Sequence, residues 1–264
     1  MDYNCKEVTL MAGHSKWANI KHKKKKEDKK RAKLFSKLSK KIAVAAREGG
    51  GDPEKNPDLR RVIEKAQDNN MPNENIERAI KRGTGNLEGV DYEEFVYEGY
   101  GPGGVALYLE ITSDNRNRTA SELRHILSER GGNLGQSGCV AWMFERKGQY
   151  ILDLDSTDLT EDELMLEALE AGAEDVLVEG NTVTIYGDPT EFEQIKENLE
   201  KKGFDLNSSD LAMIPNNNVK LDKKEAKKML KLMDELEDHD DVQEIYANFD
   251  IPDEIMEEIV EQDD

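Results

Sequence analysis

Apolar positions along this chain keep two periods in turn, and the switch between them divides it. From Asp28 onward, Leu34, Leu38, Ile42 and Ala45 recur at i, i+4, i+8 and i+11, one stripe of a 3.6-residue helix that Gly49-Gly50-Gly51 stops. Asn56-Pro57 reads as a cap with proline at the first helical position, opening a second helix with Leu59, Val62, Ile63 and Ala66 inward. Asn69-Asn70-Met71-Pro72 breaks it, and a third helix with Ile76, Ala79 and Ile80 ends at Gly83-Thr84-Gly85.

After Gly89 the period falls to two. Residues 95–97 read as a strand, 99–104 as a turn, and Val105, Leu107, Leu109 and Ile111 alternate along a second strand. A helix with Leu123, Ile126 and Leu127 follows. Strands are expected at 140–144 and 150–154 around Lys147-Gly148, then a helix with Leu164, Ala168 and Leu169. Strands at 176–178 and 182–186 and a helix from Pro189 with Phe192, Ile195 and Leu199 complete a ββαββα block. A strand near 210–214, a helix with Ala226, Met229, Leu230, Met233 and Leu236, a last strand at 242–249 and an acidic tail end the chain. The pattern predicts a multidomain α and α/β protein. A helical N-terminal domain (13–88) precedes a ferredoxin-like α/β domain (89–140 with 206–264), into which a second small α/β domain (141–205) is inserted. Closing a sheet edge is the reason for joining the two outer pieces. Residues 1–12 read as a disordered extension, with Met11 as the natural start.

Charge changes the picture of the first helix. Residues 13–47 hold fourteen Lys/Arg against Glu27 and Asp28 alone, a net +12, whereas the whole chain is −20. Residues 83–264 carry 15 basic and 45 acidic side chains. A basic arm on an acidic body points to a polyanion partner met at one end. The candidate contacts are Lys16, Trp17, Lys21, His22, Lys23, Lys24, Lys25, Lys26, Lys30, Arg31, Lys33 and Lys37; Trp17 among cations suits stacking on a base or ribose. Arg116 and Arg118 stand in Asn115-Arg116-Asn117-Arg118, between a strand end and a helix N-terminus, where anions are attracted.

Other chemistry finds little support. The Gly99–Gly104 turn leads into a strand and lacks the Gly-Lys-Ser/Thr of a phosphate loop. No Ser-His-Asp or His-Glu-x-x-His arrangement occurs, the four His make no metal spacing with Cys5 or Cys139, and the expectation is a non-enzyme without cofactor, metal or small-molecule substrate. No apolar run approaches the length needed to span a bilayer, and the two distant cysteines fit a reducing cytoplasm.

Six stretches carry a resemblance. GHSKWANIKHKK (13–24), NMPNENIERAIKRGTG (70–85), YEGYGPGGVAL (97–107), SDNRNRT (113–119), GGNLG with SG and V (131–140) and MFERKG (143–148) make the chain similar to the YebC/PmpR family, over nearly all of residues 11–250. The resemblance implies one helical and two α/β domains and a regulator of gene expression. In some bacterial members that means a DNA-binding transcriptional regulator, in others action on the ribosome; mitochondrial relatives are translational activators. Departures are the ten extra N-terminal residues, Cys139 where Ser is usual, and the uninterrupted lysines 23–26. A lysine-rich arm supplies charge more than base readout, and no helix-turn-helix pattern is evident, so the residues themselves lean toward RNA. Both DNA and ribosomal RNA stay open as partners.

Overall fold

A computed structural model describes residues 27–88, 90–157 and 159–262. Helix α1 (Glu27–Gly49), α2 (Pro57–Asp68) and α3 (Asn73–Gly83) form the N-terminal domain. Its core is Leu38, Ile42 and Ala46 of α1 against Leu59, Ala66, Met71, Ile76 and Ala79. Asn56 fastens the first corner from a nearly buried position. Its Oδ1 caps α2 by accepting the Leu59 N–H at 3.1 Å, and its Nδ2 donates to the carbonyls of Ala45 and Gly50, each at 2.8 Å. At the far end of α3, Gly83 lies against the Ala43 carbonyl, where any Cβ would collide.

The first α/β domain starts with the hairpin β1 (Glu93–Tyr100) and β2 (Ala106–Ser113), followed by α4 (Arg116–Glu129) and β3 (Asn133–Leu134). The inserted domain runs β4 (Phe144–Asp153), α5 (Glu161–Glu170), β5 (Asp175–Glu179), β6 (Thr182–Gly187), α6 (Phe192–Lys201) and β7 (Ser208–Pro215). The chain then returns through β8 (Val219–Lys220), α7 (Lys223–Glu237), β9 (Val242–Ala247), β10 (Phe249–Asp250) and α8 (Asp253–Gln262). The first sheet has the order β3-β1-β2-β9, the second β5-β6-β4-β7, and β8 and β10 form a short parallel pair. The expected class, a helical domain followed by α/β domains, is the observed one.

Three details differ from the sequence reading. Residues 140–154 do not form a hairpin around Lys147-Gly148: one strand, β4, runs straight through, and residues 141–143 are a 3-10 turn. Gly148 is there for closeness, since a Cβ would come within 3.0–3.1 Å of Tyr150 and Phe192. The strand expected near 210–214 exists as β7 but pairs antiparallel with β4 from Phe144↔Pro215 to Ile151↔Ser208, instead of closing the first sheet. That pairing makes the insert βαββαβ, with the strand order of a ferredoxin-like fold, and leaves β9 to flank β2. The acidic tail is helical, because Ile255, Met256 and Ile259 share one face and pack on the first domain's core.

The first sheet has two unlike faces. Leu107, Leu109 and Ile111 of β2 and Val242, Ile245 and Ala247 of β9 point into a core with Leu123 and Leu127 of α4 and Met229, Leu232, Met233 and Leu236 of α7. On the other face stand Glu94 of β1, Glu110 of β2 and Glu244 of β9, over which the N-terminal domain lies, while Tyr108 and Tyr246 of that face pack with Phe144 and Met213 of the insert.

Candidate nucleic-acid interface

The lysines of α1 fall at i, i+4, i+7 and i+8 (Lys33, Lys37, Lys40, Lys41), so they share one arc of the helix. That arc meets the segment linking α7 to β9. Lys33 Nζ donates to the Asp238 carbonyl, Lys37 Nζ to the Glu237 carbonyl at 2.8 Å, and Lys40 Nζ to the Asp240 carbonyl at 3.0 Å and Asp241 Oδ1 at 2.8 Å. Lys41 Nζ lies 3.3 Å from Glu244 Oε1. From α2, Lys65 reaches both Glu244 (3.1 Å) and Asp210 of β7 (2.6 Å), so one ammonium joins all three domains. Lys196 of α6 closes the ring on Glu64 of α2 at 3.3 Å.

Asp241 is the hub. Its side chain is 6% exposed; Oδ1 takes the Lys40 ammonium, and Oδ2 accepts from Ser113 Oγ (3.0 Å), Thr119 Oγ1 (2.8 Å) and Arg118 Nη2 (2.7 Å). Burial works to raise its pKa, but the hydrogen bonds from Lys40, Arg118 and Thr119 prevail and hold it well below the usual carboxylate range. Glu244 behaves alike: burial pushes upward, and Lys65 and Lys41 bring it down to about 2. Burial acts on Lys65 in the opposite sense, yet Glu244 and Asp210 raise its pKa. Lys37, whose hydrogen bond goes to a carbonyl, is lowered by burial. A cleft of about 450 Å³ remains between α1, α2, the charged sheet face and β7; there burial raises the pKa of Glu94 and of Glu110.

Glu122, His239 and Asp241 bring ligand atoms within 4.8 Å of one another. The cluster is organised as a hydrogen-bond network. His239 Nδ1 accepts the Asp241 N–H at 3.1 Å, its Nε2 faces Glu122 at 3.0 Å, and Asp241 is already shared by two cations and two hydroxyls.

The sequence-expected contacts are placed unevenly. Lys16, Trp17, Lys21, His22, Lys23, Lys24, Lys25 and Lys26 lie outside the described residues, as does the expected extension over 1–12, and Lys30 falls within the first turn of α1. Arg31 is exposed. Lys33 and Lys37 point at the body of this chain. Arg116 pairs with Glu93 at 3.0 Å and lies over the Phe95 ring at 4.4 Å. Arg118 bridges Asp241 and Asp114 (2.8 Å). Asn115 caps α4 by accepting the Arg118 N–H at 3.1 Å, but the guanidinium meets carboxylates of the same chain. Sequence reasoning missed Lys41, Lys65, Asp241 and Glu244 as a set. The arc of lysines was legible; its partner, two hundred residues away in the chain, was not.

Among the described residues no helix is long and apolar enough to cross a membrane. The family model described as the TACO1/YebC protein N-terminal domain matches residues 15–86, and that described as the TACO1/YebC second and third domain matches 92–249. A "probable transcriptional regulatory protein" from Halothermothrix orenii is 74% identical over 253 residues, covering 96% of this chain and all of the relative. A protein of the same description from Natranaerobius thermophilus is 61% identical over 248 residues, covering 94% of this chain and 99% of the relative. The crystal structure of a conserved hypothetical protein from Aquifex aeolicus, 51% identical, superposes with a TM-score of 0.82 over 91% of this chain and 99% of its own.

Proposed function

The chain belongs to the TACO1/YebC family, and on that premise we propose that it is a nucleic-acid-binding regulator of gene expression, a DNA-binding transcriptional regulator acting by binding and not by catalysis. Charge partition carries the reading. The lysine arc of α1 is taken up by the protein's own acids, and the segment just before it, residues 13–31, holds nine Lys/Arg against two acids. That basic segment leads into a helix that is bolted to an acidic body. The body repels phosphate, so a polyanion approaches from the arm. The cytoplasm is the compartment where such a partner is met.

A second reading, a translation factor contacting ribosomal RNA, is favoured by the residue types. Lysine gives phosphate contact without base-edge readout, and Arg116 and Arg118, better suited to guanine, face Glu93 and Asp241.

Replacing Lys23, Lys24, Lys25 and Lys26 by Ala should lower nucleic-acid affinity and reduce the slope of log K against log salt by about 3 to 4. An unchanged slope would show that the arm is not the contact. Gradient fractionation of lysate at low and high salt, with binding to promoter fragments, separates the partners. Absence from every ribosomal fraction together with tight binding to a promoter supports DNA; salt-sensitive ribosomal co-migration supports RNA.

A further inference from the structure

Trp142 is 68% exposed, although Val140 and Phe144 on either side of it are buried. Tryptophan carries the largest apolar surface of any side chain, and leaving it in water forgoes the stabilisation that burial would give. The loop that holds it out is rigidly built. Glu98 of β1 is 5% exposed and has its carboxylate inside the loop, accepting the N–H groups of Gly138 (2.6 Å), Val140 (2.7 Å) and Ala141 (2.7 Å). Burial would raise the Glu98 pKa, but these three backbone bonds bring it below the ordinary value. The Cys139 carbonyl accepts from both Tyr100 Oη and Trp142 Nε1, each at 3.1 Å, which orients the indole. Gly138, at φ +85°, makes the bend. On the other side, the Asn216 N–H donates to the Met143 carbonyl at 2.8 Å. A loop fixed at this many points loses little freedom when something settles on its exposed ring.

The surroundings indicate what settles there. A protein hot spot is an aromatic within an apolar patch. The other large apolar side chains exposed among the described residues are Leu87, Val90 and Val96, and Met165, Leu166 and Leu169 of α5; none belongs to this loop. The exposed polar neighbours of Trp142 along the loop and at its base are Gln136, Ser137, Asn216 and Asn217, with Glu145 and Arg146 the charged ones. One flat apolar face edged by amides matches a nucleobase, whose face stacks and whose edge takes hydrogen bonds. Arg146, four residues on, lines the cleft with Glu94 and Glu110, so phosphate contact is left to the arm. We propose that Trp142 is a stacking platform for an unpaired base of single-stranded nucleic acid. The inference rests on the nucleic-acid reading above and adds to it a contact on the body, remote in sequence from the arm. In a duplex the base faces are covered by their neighbours, so the platform selects single strands and loops.

The chain has two tryptophans, so Trp17→Phe leaves Trp142 as the sole indole emitter. That protein is titrated at low salt with a 12-nucleotide RNA, the same sequence as single-stranded DNA, its duplex, and inorganic polyphosphate as a polyanion without bases. Single strands should quench Trp142 to saturation, while duplex and polyphosphate bind with little quenching; RNA against DNA separates the two sources of an unpaired base. Trp142→Ala should weaken single-strand binding roughly 5- to 100-fold, with Trp142→Phe keeping most of the affinity. Both should leave polyphosphate binding, salt slope and thermal midpoint unchanged. Single-strand binding without change in Trp142 emission, equal quenching by duplex, or equal loss of polyphosphate binding in Trp142→Ala would each overturn the platform and leave the arm's role standing. Failure of every nucleic acid to bind at low salt would overturn both.

Discussion

The two faces of the first sheet solve the same problem by opposite means. One face is dry: Leu107, Leu109, Ile111, Val242 and Ile245 are covered by the leucines and methionines of α4 and α7. The other carries Glu94, Glu110 and Glu244, with Asp241 at its edge, and is covered by lysines of α1 and α2. Apolar burial is non-directional and involves no titrating group or ion pair, so moderate salt and pH change it little. Charge pairing across the second face is directional, and it depends on protonation and ionic strength. The difference assigns the dry face to folding and the charged face to how the domains sit on one another.

The largest effect expected is for Asp241→Ala. It leaves Lys40 without its carboxylate and removes the acceptor that Arg118, Ser113 and Thr119 share, and should cost about 3–5 kcal/mol; urea unfolding measures it. A loss below about 1 kcal/mol would mean that the charged face is ornamental. Leu109→Ala on the dry face should cost about 2–5 kcal/mol, with the same loss at 0.05 and 0.5 M salt. A loss that shrinks with salt would erase the contrast between the faces.

Acid should sharpen it next. Asp241 and Glu244 have lowered pKa values, so their contribution is present above the unfolded carboxylate values near 4 and is lost as pH falls toward about 2. Glu94 and Glu110 are raised, so they favour the fold when protonated and give that up as pH rises through their folded values. The two signs oppose each other above about pH 4. Thermal midpoints should therefore hold between pH 7 and about 4.5 and drop steeply only below about 4. A decline beginning at pH 6 would contradict this. The smallest effect belongs to Arg116→Ala: Arg116 and Glu93 are 58% and 61% exposed, and their pair should contribute less than about 1 kcal/mol, vanishing in 0.5 M salt.

What the sequence disclosed follows the range of the interactions. The stripe Leu38-Ile42, the Asn56 cap and the alternation in β2 are local, and each element formed where its period placed it. The place of β7 was not legible, because a strand's residues do not name its neighbour. Its edge was assigned to the first sheet, whereas β4 takes it along eight paired positions. Lys147-Gly148 read as a turn because Gly is ambiguous between a bend and a close approach; the Phe192 ring beside Gly148 decides for the second. Lysines of α1 looked like phosphate contacts for a similar reason. A cation shows its charge in the sequence but not which anion it meets, and here the nearest anions are Asp241 and Glu244.

The pairing of Phe144 with Pro215 and the 2.8 Å bond from the Asn216 N–H to the Met143 carbonyl bear on how this chain can be altered. The insert leaves and re-enters its host through one doorway, two adjacent strands a hydrogen bond apart. Seventy-two residues, 144–215, are therefore joined to the host covalently through this double stem, while Ile214 packs near Tyr246 and Asp210 takes the Lys65 ammonium. A short glycine bridge from Met143 to Asn216 would span the gap without moving either side. The same geometry makes this seam the natural place to graft or exchange a whole module, provided that the replacement covers Tyr108 and Tyr246 as Phe144, Met213 and Ile214 do here.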